Sequence, residues 1–193
     1  LQKFKKVNDT QWEEHWTVET EEKIASIASS KSNMMTYIGK LGSLNWLDDH
    51  GEILENVYNI INVSHIAMIY PTGDTIATIG SKQKLYIIKT QNGMLVTEYE
   101  LENNPISLGS NPEFPYVAVG YDDGILELIS AYKKKELKQM AMFRLTKNPI
   151  SNIYFCTYGK IIVAGNLEVG EFFILEVSTQ ECRFLPESLI LLR

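Results

Sequence analysis

Short apolar runs separated by polar turns recur along the whole chain. Many of these runs are four to six residues long and rich in Ile, Val, Leu and aromatic side chains. That length and composition favour buried β-strands over helices. Other runs alternate apolar and polar residues, as in Leu95–Leu101, which predicts strands with one solvated face. The pattern therefore predicts an all-β protein.

The order of these runs repeats with a period of about forty residues. Four apolar or β-branched runs each end at a glycine, and successive glycines are 41, 40 and 45 residues apart. Each glycine is followed by a polar turn, a second apolar run, another turn and an alternating strand. A further strand precedes each of the runs that end at a glycine. Each repeat is therefore predicted to contain four short strands. The four glycines are Gly39, Gly80, Gly120 and Gly165.

Four antiparallel strands in a unit of this length predict a β-propeller blade, because radial packing of such units hides most sheet edges. A β-sandwich is the alternative, but it gives no reason for the same strand order to recur four times. We therefore predict about four four-stranded blades. Their predicted bounds are 20–61, 62–103, 104–147 and 148–187.

The two ends extend beyond these repeats. Residues 1–19 carry Trp16 and Val18 at strand spacing and are predicted to form the outer strand of a preceding blade. Residues 188–193 are predicted to form a tail or the start of a next blade. The chain begins with Leu rather than Met, so we expect a segment of a longer polypeptide. Such a segment would leave two blade faces apolar, and exposed patches of that size normally bind a partner.

Residues 62–101 and 104–145 resemble the WD-repeat family. Pro71–Gly80 is similar to that family's first turn and second strand, and Gly120–Ile125 is similar to its tight turn between the second and third strands. The resemblance implies that Asp123 accepts hydrogen bonds from neighbouring backbone and histidine and so fixes the blade corner. We assign structural roles in the blade turns to Gly39, Gly80, Gly120, Asp123, Gly124 and Gly165.

The chain also departs from the family pattern. The Trp-Asp pair that should end each third strand is missing from every repeat, and so is the Gly-His pair before the first strand. We expect degenerate blades that are held together by apolar packing more than by the family's hydrogen-bonded tetrad. Rings of seven or eight blades are usual in this family, so the resemblance implies about half of a larger ring. Degenerate blades rich in Ile, Tyr and Lys also resemble the large WD-repeat proteins of cilia and flagella.

Charge and composition exclude two kinds of partner. Acidic residues outnumber basic ones by 24 to 18, and the formal charge of -6 creates no field that attracts nucleic acid or an anionic membrane. No apolar run approaches the roughly 20 residues needed to span a bilayer, so no direct membrane insertion is expected. Two cysteines cannot form a disulfide framework, which favours a reducing, cytoplasmic compartment.

The sequence offers no chemistry for catalysis, a cofactor or a metal. The adjacent carboxylates Asp48-Asp49 and Asp122-Asp123 lie in predicted turns, where Asp bonds nearby backbone. The three histidines are scattered, and neither they nor the cysteines have metal-ligand spacing. Phosphate-binding glycine loops are absent. We therefore predict no catalytic, cofactor-binding or metal-binding residue.

Two short segments are candidate partner contacts. The cluster Lys133–Lys135 is a solvated hairpin in the simplest interpretation. An acidic partner such as a tubulin tail would pair with these lysines. The loop at Tyr121 is the other candidate, and Asp122 is the side chain there that would face a partner. The candidate contact residues are Tyr121, Asp122, Lys133, Lys134 and Lys135.

We expect a non-catalytic scaffold that binds other proteins in a multi-subunit complex, with the ciliary or flagellar axoneme as the expected setting. This function is argued by analogy with the family, because no specific site can be named. A coat or trafficking propeller that contacts membranes indirectly is one alternative. A ligand-binding or enzymatic propeller is another, and it would need titratable residues that converge from the innermost strands.

Overall fold

The structure is a computed structural model in which the chain forms only strands, turns and loops within the residues described. Among those residues no helix is long and apolar enough to cross a membrane. The described residues are 1–8, 10–20, 23–29, 35–39, 43–48, 50–58, 64–69, 75–80, 82–89, 94–133, 136–156, 161–176 and 190–192.

Eighteen strands lie in these ranges and form five antiparallel sheets. They are β1 (Gln2–Lys6), β2 (Trp12–Thr17), β3 (Ile24–Ser29), β4 (Met35–Gly39), β5 (Leu44–Leu47), β6 (Ile53–Tyr58), β7 (His65–Ile69), β8 (Thr75–Gly80), β9 (Lys84–Lys89), β10 (Leu95–Glu100), β11 (Pro105–Ser110), β12 (Tyr116–Tyr121), β13 (Ile125–Lys133), β14 (Glu136–Arg144), β15 (Asn152–Cys156), β16 (Ile161–Asn166), β17 (Glu171–Glu176) and β18 (Ile190–Leu192).

Four of the five sheets have four strands in chain order, and we call them blades 1 to 4: β3–β6, β7–β10, β11–β14 and β15–β18. The first strands of successive blades lie against one another, so these are the inner strands. The prediction of an all-β fold with four four-stranded blades is confirmed.

Apolar clusters fill the three interfaces between blades. Successive residues of a strand point to opposite faces, so each central strand serves two interfaces. On β12, Val117 and Val119 belong to the cluster between blades 2 and 3, whereas Ala118 belongs to the cluster between blades 3 and 4. Burial of each Ile, Leu or Phe side chain in these clusters stabilises the fold by about 1.5–3 kcal/mol.

The structural repeat differs by one residue from the glycine repeat. In blade 2, Ile79 pairs with Leu85, and both lie in the cluster facing blade 3. In blade 3, the equivalent pair that faces the next blade is Gly120 with Leu126. Gly80 thus occupies the position after Ile79 and is not the structural counterpart of Gly120.

The ends of the chain differ from the sequence prediction. Residues 1–19 contain two strands, β1 and β2, which form a separate hairpin instead of one outer strand. Trp16 of this hairpin lies against Gly51 in the outer turn of blade 1. At the other end β18 pairs with β17, so the prediction that 188–193 is a tail or starts a next blade is wrong. β18 is therefore the fourth strand of blade 4.

Candidate protein-interaction face

Hairpin turns and blade connectors meet at one end of the sheets. The turn between the second and third strands and the connector to the next blade lie at the same end because neighbouring strands are antiparallel. Backbone bonds join them: Leu145 N donates to the Gly124 carbonyl at 3.0 Å, and Asp122 N donates to the Asn104 carbonyl at 3.2 Å. We call this surface the turn face. Its described segments are 82–83, 101–104, 122–124, 145–151 and 167–170.

Glycine is required at two positions near the turn of blade 3. Gly124 has a φ of +82°, which L side chains rarely adopt, and an added Cβ would overlap the Thr146 carbonyl. Gly120 is the residue before the last one of β12, and an added Cβ there would overlap Ser107 Oγ and the Ile150 carbonyl. These glycines let the connector approach the sheet closely.

Asp123 links the turn of blade 3 to the outer strand. Its Oδ2 accepts a hydrogen bond from Arg144 Nη2 at 3.0 Å, and its backbone carbonyl accepts one from Nη1 at 2.7 Å. The backbone N–H of Ile125 donates to Oδ1 at 3.4 Å. The family resemblance implies a histidine donor here, whereas the charged donor in the structure is an arginine on β14.

Asp122 and Tyr121 have different environments although they are adjacent. Asp122 accepts a hydrogen bond from Asn104 Nδ2 at 3.0 Å, and its side chain is exposed on the turn face, where a partner can contact it. Tyr121 is fully buried in the cluster between blades 2 and 3. The prediction that Tyr121 contacts a partner is therefore wrong, because its side chain fills a blade interface.

A buried carboxylate joins two tyrosines across that interface. Glu127 on β13 is only 1% exposed and accepts hydrogen bonds from Tyr99 Oη at 2.9 Å and from Tyr121 Oη. Burial, followed by the Glu127 hydrogen bond, raises the pKa of Tyr99 to about 12, and the same causes raise the pKa of Tyr121 further. Both tyrosines therefore stay protonated as donors, which a buried carboxylate requires.

Sequence reasoning missed Glu127, although a signal exists. It is a single charged residue inside the apolar run Ile125–Ile129, and an unpaired charge there would be very unfavourable. The partner Tyr99 lies 28 residues away in the preceding blade, and only the fold brings the two together.

The turn of blade 4 presents two apolar side chains to solvent. Leu167 is 61% exposed and Val169 is 58% exposed. Asn166 holds this turn: its Oδ1 accepts hydrogen bonds from Glu168 N at 2.9 Å and Val169 N at 3.3 Å, and its Nδ2 donates to the Pro149 carbonyl at 3.0 Å. No sequence motif marks this turn.

The predicted lysine contact is only partly described. Lys133 is the last residue of β13 and pairs with Glu136, whereas Lys134 and Lys135 lie outside the described residues. Lys133 lies at the end of blade 3 opposite the turn face, so it does not share a contact surface with Asp122.

The described part of the chain contains no group of three or more His, Cys, Asp or Glu residues that could hold a metal ion. His65 begins β7, where burial lowers the pKa of its imidazole and a hydrogen bond to the Ile106 backbone partly opposes that shift. Its contacts with the described residues are to Ser64 Oγ and to the Ile106 backbone of the adjacent inner strand, and neither partner is titratable.

Comparison with known proteins supports the architecture. No family model matches the sequence, and no curated protein matches it. Solved structures do match, among them the crystal structure of the Cps50 (Swd1) β-propeller domain of Myceliophteria thermophila, with a TM-score of 0.70 over 90% of this chain and 12% sequence identity. The chain spans 58% of that domain. At this identity the likeness shows the fold alone: the chain is built of β-propeller blades.

Proposed function

We propose that this chain is a non-catalytic, degenerate WD-repeat scaffold that binds another protein through its turn face. The observation that carries the proposal is the turn of blade 4, where Leu167 and Val169 are exposed while Asn166 fixes the backbone. Apolar side chains at a rigid tip lose little conformational entropy when a partner covers them.

The gain from covering this tip is enough for a specific contact. Each side chain is more than half exposed, and full burial of a Leu or Val side chain gives about 1.5–3 kcal/mol. Because about 1.4 kcal/mol changes an equilibrium constant tenfold, the two side chains together account for about a hundredfold in affinity.

The inner strands favour a scaffold over an enzyme. A catalytic or receptor propeller places titratable groups around its central channel. As bounded, β3, β7, β11 and β15 carry no Asp, Glu, Lys or Arg. Their titratable side chains are those of His65, whose imidazole contacts neighbouring backbone, and of Tyr154 and Cys156 on β15.

The proposed setting is a multi-subunit cytoplasmic assembly. The ciliary or flagellar axoneme is our first candidate, and it rests on the resemblance of degenerate, Ile-, Tyr- and Lys-rich blades to the large WD-repeat proteins of cilia and flagella. A coat or trafficking assembly is the alternative. The identity of the protein that binds the turn face distinguishes the axonemal setting from the coat or trafficking setting.

Site-specific photocrosslinking in cells tests the proposal. A photoreactive amino acid replaces Leu167 in one full-length version and Met94 in the control, because Met94 is also apolar and 49% exposed but lies at the opposite end of blade 2. We expect Leu167 to give a small, reproducible set of protein crosslinks that Met94 does not give. Axonemal proteins in that set support the first setting, and coat subunits support the second. Identical sets from the two positions would refute the proposed interaction face.

A further inference from the structure

The outer strand of blade 3, β14, has an edge that pairs with no other described strand. The strand is nine residues long, whereas the outer strands of blades 1 and 2, β6 and β10, have six residues each. Apolar clusters join blade 3 to blade 2 on one face and to blade 4 on the other, so this edge belongs to an interior blade of the chain. The backbone N–H and C=O groups along such an edge can pair with a further strand.

One hydrogen bond shows which backbone groups of β14 point outward. Leu145 N donates to the Gly124 carbonyl, and the pair next to this bond is Arg144 with Ile125. In an antiparallel ladder such bonds flank a non-hydrogen-bonded pair, so the N–H and C=O of Arg144 point away from β13. The direction alternates along the strand. The backbone groups of Met142 therefore point outward as well.

A β-bulge limits the part of this edge that can pair with another strand. Met140 has no partner on β13, because the paired residues on either side of it are Ala141 and Gln139. A bulge bends the strand and interrupts the outward row of backbone groups. The continuous part of the edge therefore runs from Ala141 to Arg144, and we call this segment the β14 edge.

The corresponding edge of blade 2 carries two carboxylates. The same backbone bond occurs there, from Leu101 N to the Gln83 carbonyl, so the outward backbone groups of β10 are those of Glu98 and Glu100. Their side chains are 46% and 84% exposed. Charged side chains on an edge strand oppose pairing with a further strand. The β14 edge has weaker protection, because the apolar Met142 occupies the position of Glu98.

The side chains of the β14 edge determine which residues fit opposite them. Met142 is half-buried and apolar, so an apolar residue fits opposite it. Arg144 forms an ion pair with Asp123, yet its side chain remains 58% exposed. An acidic residue fits opposite Arg144, because cross-strand pairs of opposite charge stabilise a sheet and pairs of like charge destabilise it.

We propose that the β14 edge binds an extended segment of a partner protein as a fifth, antiparallel strand of blade 3, with an apolar residue opposite Met142 and an acidic residue opposite Arg144. The outward backbone groups supply two donors and two acceptors for affinity, and the two side chains supply specificity. Antiparallel pairing is the more stable arrangement per residue. A second copy that paired through the same segment would offer no acidic residue, since residues 141–144 contain none.

Amide NMR spectra of the full chain with a synthetic hexapeptide test the proposal. The peptide Thr-Asp-Thr-Ile-Thr-Val places its Ile opposite Met142 when its Asp lies opposite Arg144, and the control peptide has Lys in place of Asp. We expect the Asp peptide to shift the amide signals of Met142 and Arg144, and the Lys peptide to bind about fivefold more weakly. The amide signals of Glu98 and Glu100 on β10 should not move.

Two variants separate the backbone contribution from the side-chain contribution. Met142→Pro removes an outward N–H without removing a bond to β13, so it should bind the Asp peptide about tenfold more weakly than Met142→Leu, which keeps that donor. Arg144→Gln should bind the Asp and Lys peptides with the same affinity. This variant tests the proposal independently if Met142→Pro does not fold.

Three results would overturn the proposal. The first is an Asp peptide that leaves the β14 signals in place or shifts those of Glu98 and Glu100 equally. The second is equal binding of that peptide by folded Met142→Pro and Met142→Leu. The third is self-association of the peptide-free chain in sedimentation that Met142→Pro abolishes and Met142→Leu retains, because the occupant would then be a second copy. Crosslinking from Leu167 does not involve this edge, so it tests the proposed function separately.

Discussion

Removal of the Tyr121 hydroxyl tests the buried hydrogen bond to Glu127 at the interface between blades 2 and 3. Tyr121→Phe keeps the ring in the cluster and removes one of the two described donors to Glu127. A hydrogen bond to a charged group contributes about 1.5–3 kcal/mol, and water cannot replace this one because Tyr121 and Glu127 are 0% and 1% exposed. We expect the free energy of unfolding to fall by about 2 kcal/mol.

Urea unfolding followed by circular dichroism and by the fluorescence of buried Trp46 measures the change. Tyr154→Phe is the control, because an exposed hydroxyl should change stability by less than about 0.5 kcal/mol. Glu127→Leu combined with Tyr121→Phe should be less destabilising than the sum of the two single changes, since it removes the buried charge with its donor. A Tyr121→Phe protein within about 0.5 kcal/mol of the parent would refute the reasoning.

Three further predictions concern the turns and pH. Gly124→Ala should lower the free energy of unfolding by about 2 kcal/mol or more through its φ and its overlap with the connector, whereas Gly170→Ala should cost about 1 kcal/mol or less in open space; chemical denaturation compares the pair. Arg144→Ala should cost at most about 1 kcal/mol, and 1 M salt should remove most of that difference, because the ion pair with Asp123 is largely exposed. The pKa of Tyr99 is about 12 in the folded protein and 10.0 in the unfolded one, so protonated Tyr99 contributes its full stabilisation below pH 10 and loses it as pH rises through about 12. Denaturation between these pH values should therefore show a steeper fall in the free energy of unfolding for the parent than for Tyr99→Phe.

The fold could be predicted from the sequence because the repeat was visible in strand and turn composition. Short apolar runs and polar turns follow local rules, and those rules were sufficient to identify four blades. The glycine register was less reliable. Gly80 and Gly120 end similar apolar runs, but Gly80 is the last residue of β8 and pairs with Lys84 next to the turn, whereas Gly120 pairs with Leu126 and faces the next blade. The reason is that one more strand residue, Tyr121, follows Gly120 before its turn.

The site could be predicted only in part because its contacts depend on neighbouring blades. Asp123 and Gly124 form the expected tight turn from local sequence, but the arginine that bonds Asp123 comes from β14. Tyr121 lies next to an exposed turn, and the alternation of β12 alone directs it into the interface. Glu127 has one donor, Tyr121, in its own blade and acquires the second, Tyr99, only when blade 2 is in place.

The affinity of the partner captured at Leu167 tests the central claim most directly. Its dissociation constant is measured for the parent chain, for a Leu167→Ser, Val169→Ser double variant and for Met94→Ser as the matched control. We predict about hundredfold weaker binding for the double variant and an unchanged constant for the control. Equal affinity in all three proteins would contradict a scaffold that binds through its turn face.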